Sequence, residues 1–168
     1  MGAAGYHLHV TEIEPPTPAP EFRRGRRLSV DVGKVRVGVA MSDPDCVLAS
    51  PVETVPRDLS TKKGVPADIA TIAALVDEHD VVEIIVGLPV TLAGEESHAA
   101  RDARHFARLL GRSVESVPVR MVDERLTTAV ASRRLAERGV KGHRRKAVVD
   151  QAAAVEILQL YLERMRRT

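Results

Sequence analysis

Aromatic side chains are almost missing from this chain: it has no Trp, two Tyr and two Phe in 168 residues. A surface that reads single-stranded bases by stacking needs exposed rings, so that mode of recognition is excluded. The core must instead be built from Val, Leu, Ile and Ala. Cysteine is as scarce. With Cys46 as the sole example, an internal disulfide and a cysteine-cluster zinc site are both ruled out, and its place after Pro44-Asp45 reads as a quiet loop thiol. No apolar run approaches the roughly 18 residues of a membrane span. Met1 to Val10 lacks the long apolar centre of a signal peptide. These absences point to a single soluble domain in a reducing, cytoplasmic compartment.

Net charge is also low, at +2, but its distribution is uneven. From Arg120 to Thr168 there are 12 Lys/Arg against 6 Asp/Glu, a net of +6, whereas the preceding residues carry a net of −4. A positive final third on a nearly neutral chain suits a polyanion-binding surface, although an Arg-rich solvated helix face would produce the same asymmetry.

What is present begins with Leu28-Ser29-Val30-Asp31-Val32-Gly33 followed by Lys34-Val35-Arg36-Val37-Gly38-Val39-Ala40-Met41-Ser42-Asp43, two alternating runs with Gly33-Lys34 between them as a turn. Leu28, Val30 and Val32 share one face, so Asp31 points to the other. A carboxylate inside an apolar strand is costly to bury without a cationic partner. Before this hairpin, residues 1–25 form a Pro-containing flexible extension, and Arg23 to Arg27 read as charged gatekeepers in preference to a phosphate-gripping arm. Residues 26–168 form the folded domain.

After the hairpin, Val47 to Val55 reads as a third strand, at an edge because of Pro51. Asp68 is placed to cap a helix carrying Ile69, Ile72, Ala73 and Val76. Val81 to Pro89 is a near-continuous aliphatic run, as expected of a buried parallel strand. Ser97 caps a second helix with a stripe of Ala99, Ala103, Phe106 and Leu110, stopped by Gly111. Pro118 to Glu124 is a last strand ending in acid. Thr127 or Thr128 caps a helix ended by Gly139, residues 141–146 form a basic loop, and a final apolar helix runs from about Lys146 to Arg166. The order predicts an α/β fold: a mixed five-stranded sheet flanked by helices.

Acids collect at the ends of these elements. Asp31 ends the first strand, Asp123 and Glu124 end the last one, and Asp150 lies in the first turn or so of the final helix among Val and Ala. Ligand sites in such sheets form at strand ends. Carboxylates converging there repel one another unless a divalent cation joins them. Oxygen-only ligation favours Mg²⁺ or Mn²⁺ over zinc, and such ions support in-line hydrolysis of a phosphodiester. Arg125, Arg133, Arg134, Lys141, Arg144, Arg145 and Lys146 surround these acids in sequence and are candidate contacts to nucleic-acid phosphates. A plainer alternative makes Asp150 a helix-terminal charge and Glu124 an ordinary salt-bridge partner.

Four ordered segments resemble one family. Leu28-Ser29-Val30-Asp31-Val32-Gly33 with Arg36-Val37-Gly38-Val39-Ala40 and Ser42-Asp43, Val86-Gly87-Leu88-Pro89, Val122-Asp123-Glu124-Arg125-Leu126-Thr127-Thr128, and Lys146 with Asp150-Gln151-Ala152-Ala153 are similar to the motifs of the YqgF family of ribonuclease-H-like nucleases. The resemblance spans about Leu28 to Leu162. It implies a ribonuclease-H-like fold, with Asp31, Glu124 and Asp150 as catalytic acids holding Mg²⁺ or Mn²⁺. Arg36 joins the nucleic-acid contacts, and Gly33, Gly38, Asp123, Thr127 and Thr128 take supporting places. The roles it implies are processing of the 5′ end of precursor 16S ribosomal RNA, or resolution of four-way DNA junctions, which requires a two-fold homodimer. Two other classes compete: an actin-like ATPase phosphate hairpin built on Asp31-Val32-Gly33, and a catalytically silent nucleic-acid-binding module. No zincin pattern or P-loop is present, and His79, His98, His105 and His143 read as ordinary surface residues.

Overall fold

In the computed structural model, residues 23–60, 63–91, 93, 95–124 and 143–167 are described, with side chains from 149 onward in the last stretch. The elements follow in the order β1 (Arg27–Val32), β2 (Arg36–Ser42), β3 (Ala49–Pro56), α1 (Ala67–Glu78), β4 (Glu83–Leu88), α2 (His98–Ser113), β5 (Val119–Asp123) and α3 (His143–Arg167). The sheet has five strands in the order β3-β2-β1-β4-β5. β1, β2 and β3 form an antiparallel meander, while β4 pairs parallel with both β1 and β5. The mixed sheet expected from the sequence is therefore present, with β3 at its edge. Between β2 and β3 the register slips beside Pro51, a residue with no N–H to give to a ladder.

Alternation along the strands sorts the core into two layers. Leu28, Val30, Val37, Val39, Ile84 and Val86 face α1 and α2, where Ile69, Ile72, Val76, Phe106 and Leu110 close over them. Ala40, Ala49, Ile85 and Val122 face α3, meeting Ala154, Ile157, Leu158 and Leu162. Burying each large aliphatic side chain contributes about 1.5–3 kcal/mol, which fixes α3 against the sheet more strongly than helix propensity could.

The α3 face is lined with small residues, and this sets how closely helix and sheet approach. Ser29 Oγ donates to the carbonyl of Ala154 at 2.7 Å. At Gly38 a Cβ would stand 2.0 Å from the carbonyl oxygen of Asp150, so the helix backbone rests directly on β2. Gln159 extends the clamp to the edge strand, accepting from the Ala49 N–H at 2.9 Å and donating to the carbonyl of Val47. Gln151 donates to Thr54 Oγ1.

Several local expectations are corrected. Asp68 does not cap α1; Pro66 occupies that place, and Asp68 sits buried in the first turn, where its carboxylate meets Arg57. Gly111 does not stop α2, which runs to Ser113, and Ala100 rather than Ala99 belongs to the buried stripe. Ser97 caps that helix as expected, accepting from the Ala100 N–H at 3.1 Å. α3 begins at His143, so Arg144, Arg145 and Lys146 are helical rather than part of a loop, and Asp150 falls in its third turn. Arg27 is not a solvated gatekeeper. It is 4% exposed and gives its Nε to Glu83 at 2.8 Å, and Arg120 holds the other oxygen of that carboxylate. Burial, then the Glu83 carboxylate beside it, pushes the Tyr161 phenol well above its ordinary pKa. Cys46 is buried against Arg27. The helix expected after Thr127 lies outside the described residues.

The contact at Gly38 predicts that Gly38→Ala, which adds a methyl against helix backbone, lowers stability by at least about 1–3 kcal/mol. Urea unfolding monitored by far-ultraviolet circular dichroism checks this, and an unchanged midpoint would show that α3 does not rest on β2 there.

Candidate active site

Three parallel strands, β1, β4 and β5, run in the same direction and end at the same edge of the sheet, the place where open α/β sheets bind ligands. Asp31 is the penultimate residue of β1, 2% exposed, on the same face as Ser29 and therefore on the side covered by α3. Its direct partner on β2 is Gly38. On the other side, Val30 pairs with Val86, so Asp31 and Gly87 come next along their strands. Asp31 thus stands between two glycines, and each lies against another acid.

At Gly38 the neighbour is the backbone of Asp150, as described above. At Gly87 it is a side chain: a Cβ there would stand 2.6 Å from Glu124 Oε1 and 2.7 Å from Ile157 Cδ1. Glu124 follows Asp123, which pairs with Leu88 at the end of β5, and Glu124 is only 1% exposed. Its carboxylate occupies the room that glycine leaves beside β1. Glycine inside an aliphatic strand is a signal of close approach, so the meaning of Gly87 was readable from its position in Val86-Gly87-Leu88. Its partner was not.

Asp150 is half-buried, and its Oδ2 receives Arg36 Nε at 3.0 Å. Arg36 is therefore committed in part to an acid of this group, not solely directed at solvent. Among the described residues no three His, Cys, Asp or Glu side chains are gathered closely enough to hold a metal ion. What does suit a hard cation is the chemistry of the donors, which are all carboxylate oxygens, and the glycine-lined space in which two of them are held. Asp123 is half-buried at the same strand end.

A second ionic group braces this edge from the opposite face. Arg57 follows β3; its Nη1 donates to the carbonyl of Gly33 at 2.7 Å, and its backbone N–H donates to that of Val35. The guanidinium also makes a two-pronged pair with Asp102 of α2 at 2.8 and 3.0 Å and reaches Asp68 of α1 at 3.2 Å. It lies 5.5 Å from the centre of the Phe106 ring. The turn after Asp31, closed by the Gly33 N–H on the carbonyl of Arg36, is thereby tied to both helices. Neither Arg57 nor Asp102 carries any sign of this in the sequence, because they belong to different elements with no periodic relation. Asp43 organises the next turn, its Oδ1 accepting from the Val47 and Leu48 N–H groups; hydrogen bonds from Leu48, against a small cost of burial, hold its carboxyl below the ordinary range.

Of the other expected contacts, Arg125, Arg133, Arg134, Lys141, Thr127 and Thr128 lie outside the described residues. Arg144, Arg145 and Lys146 lie on the first turns of α3, where only the backbone is described. His98 and His105 are exposed on α2.

Comparison with known proteins adds a family. A family model described as RuvX, Holliday junction resolvase, matches residues 25–164. The chain belongs to the RuvX family. Among its relatives, a Rhodococcus erythropolis protein named "putative pre-16S rRNA nuclease" is 56% identical over 144 residues, covering 86% of this chain and 81% of that one. A Mycobacterium bovis protein of the same name is 52% identical over 155 residues, covering 92% and 88%. Among solved structures, T. thermophilus RuvC in complex with Holliday junction substrate superposes with a TM-score of 0.50 at 14% identity, covering 84% of this chain and 96% of that one. The RuvX chain therefore has the ribonuclease-H-like architecture that its motifs imply. No helix among its described residues is long and apolar enough to cross a membrane.

Arg57 yields two predictions. Arg57→Met leaves Asp68 buried without its cation and should cost about 3–5 kcal/mol, measured by chemical denaturation. Its guanidinium holds the Asp102 carboxyl below the usual carboxylate range. A depressed folded-state pKa contributes stability above the unfolded value near 3.9, and that stability is lost as pH falls through the folded value. Asp102→Asn should therefore melt lower than wild type at pH 7, with the gap shrinking below about pH 4; a gap that stays constant with pH would contradict the pairing.

Proposed function

We propose that this chain is a nuclease that hydrolyses phosphodiester bonds in precursor 16S ribosomal RNA, at its 5′ end, with Asp31, Glu124 and Asp150 as the acids that hold Mg²⁺ or Mn²⁺. The observation that carries the reading is the pair of glycines flanking Asp31, with the Asp150 backbone over one and Glu124 Oε1 over the other. Bringing acids from the beginning, middle and end of a chain to one strand edge has little structural return, since like charges oppose it. Sharing a divalent cation gives the arrangement a purpose.

When bound, such a cation neutralises the carboxylates and polarises the attacking and departing oxygens of the phosphodiester. Asp31, buried in the sheet, would supply one ligand. Glu124 approaches from the end of β5 and Asp150 from α3, and Asp123 stands beside them. The basic residues from Arg125 to Lys146 would meet the flanking phosphates. RNA processing is favoured by the shared name of the relatives, and a cytoplasmic location goes with that reading. A second reading, cleavage of four-way DNA junctions, is favoured by the description of the family model and calls for a two-fold homodimer.

Asp31→Asn, Glu124→Gln and Asp150→Asn should each lower the cleavage rate at least about a hundredfold with the fold retained. The assay offers a precursor-rRNA leader and a four-way DNA junction side by side, with Mg²⁺ and then with EDTA. Cleavage of the leader alone, abolished by EDTA, is expected. Metal-independent cutting, or wild-type rates in any of the three variants, would remove the corresponding part of the proposal.

A further inference from the structure

Arg36 lies two residues before Gly38 on β2, so both occupy the α3 face of the sheet. Gly38 touches the backbone of Asp150, and Arg36 holds the carboxylate of the same residue. The link joins positions 114 residues apart, and the two side chains are only 20% and 23% exposed. Asp150 is thus gripped by β2 on one side of Asp31, while Glu124 lies over β4 on the other. The turn that begins β2 is itself anchored by Arg57 through the carbonyls of Gly33 and Val35. Arg36 therefore projects from a braced position.

From this geometry we infer that Arg36 is a positioning residue that exchanges partners: it neutralises Asp150 while no cation is bound, and gives up that carboxylate to the cation in return for a nucleic-acid phosphate. The inference rests on the assignment of Asp150 as a metal ligand made above. One guanidinium cannot serve Asp150 and a phosphate through the same Nε donor, and a carboxylate engaged by an arginine is a poorer ligand for a cation. The exchange keeps the charge balanced at each stage. Before binding, Arg36 offsets one of the acids that would otherwise repel the others. Afterwards the cation takes that task, and the freed guanidinium is already at the strand edge where a phosphate must lie. A cationic N–H donor suits both partners.

The test uses the full chain without nucleic acid, titrating Mn²⁺ and following the free ion by electron paramagnetic resonance. Arg36→Gln should bind Mn²⁺ roughly two- to tenfold more tightly than wild type, because the competing partially exposed pair is gone. Arg36→Lys should stay near wild type. In an Asp150→Asn background the gain from Arg36→Gln should vanish. A second arm measures a short single-stranded RNA oligonucleotide by fluorescence anisotropy: Arg36→Gln should weaken binding in Mn²⁺ and leave it unchanged in EDTA. If Asp150→Asn weakens Mn²⁺ binding but Arg36→Gln leaves it unchanged or weaker, the exchange is wrong and the metal site stands. Equal loss of RNA binding with and without metal also overturns the exchange. If Asp150→Asn leaves Mn²⁺ affinity unaltered, the assignment beneath both proposals fails.

Discussion

A carboxylate in the middle of a sheet is the constraint around which this molecule is arranged. Asp31 is buried on β1 with a strand on each side and a helix above, a position where any uncompensated charge is expensive. Ordinary side chains on the flanking strands would fill the space around it. Glycine stands there on both sides, and the room goes to the backbone of Asp150 and the carboxylate of Glu124. The small residues of the α3 face, Ser29, Gly38, Ala40 and Gly87, thus have a common effect: they let acidic elements approach β1 more closely than aliphatic packing would allow.

Partly buried ion pairs brace β1 at both of its ends. At the start of β1, Arg27, Glu83 and Arg120 form a chain of charges across three strands. At its end, Arg57 gathers the Gly33 carbonyl, Asp68 and Asp102. Such pairs add little net stability compared with apolar packing, and their removal singly is costly because the remaining partner is stranded. Their contribution here is directional. The first ties β1 to β4 and β5, and the second ties the turn after Asp31 to α1 and α2.

Much of this was legible in sequence because the strands advertise themselves. Alternation through Leu28 to Met41 and the aliphatic run through Val86 give the sheet, and the acids expected at strand ends do lie at the ends of β1 and β5. Helix boundaries were less legible: α3 starts at His143 rather than Lys146, and α2 passes through Gly111, since packing of Phe106, Ala107 and Leu110 outweighs the propensity of one glycine. Asp68 had the composition of a cap, yet the buried guanidinium of Arg57 claimed it. Pairings between elements, such as Arg57 with Asp102 or Arg36 with Asp150, leave no local pattern at all, so only the folded chain reveals them.

Whether Asp31, Glu124 and Asp150 share one divalent cation, as proposed, is tested most directly by anomalous diffraction from crystals grown with Mn²⁺. A peak bonded to carboxylate oxygens of all three residues is expected, with Arg36 turned away from Asp150. A peak bonded elsewhere on the molecule, or none at saturating Mn²⁺, would contradict it.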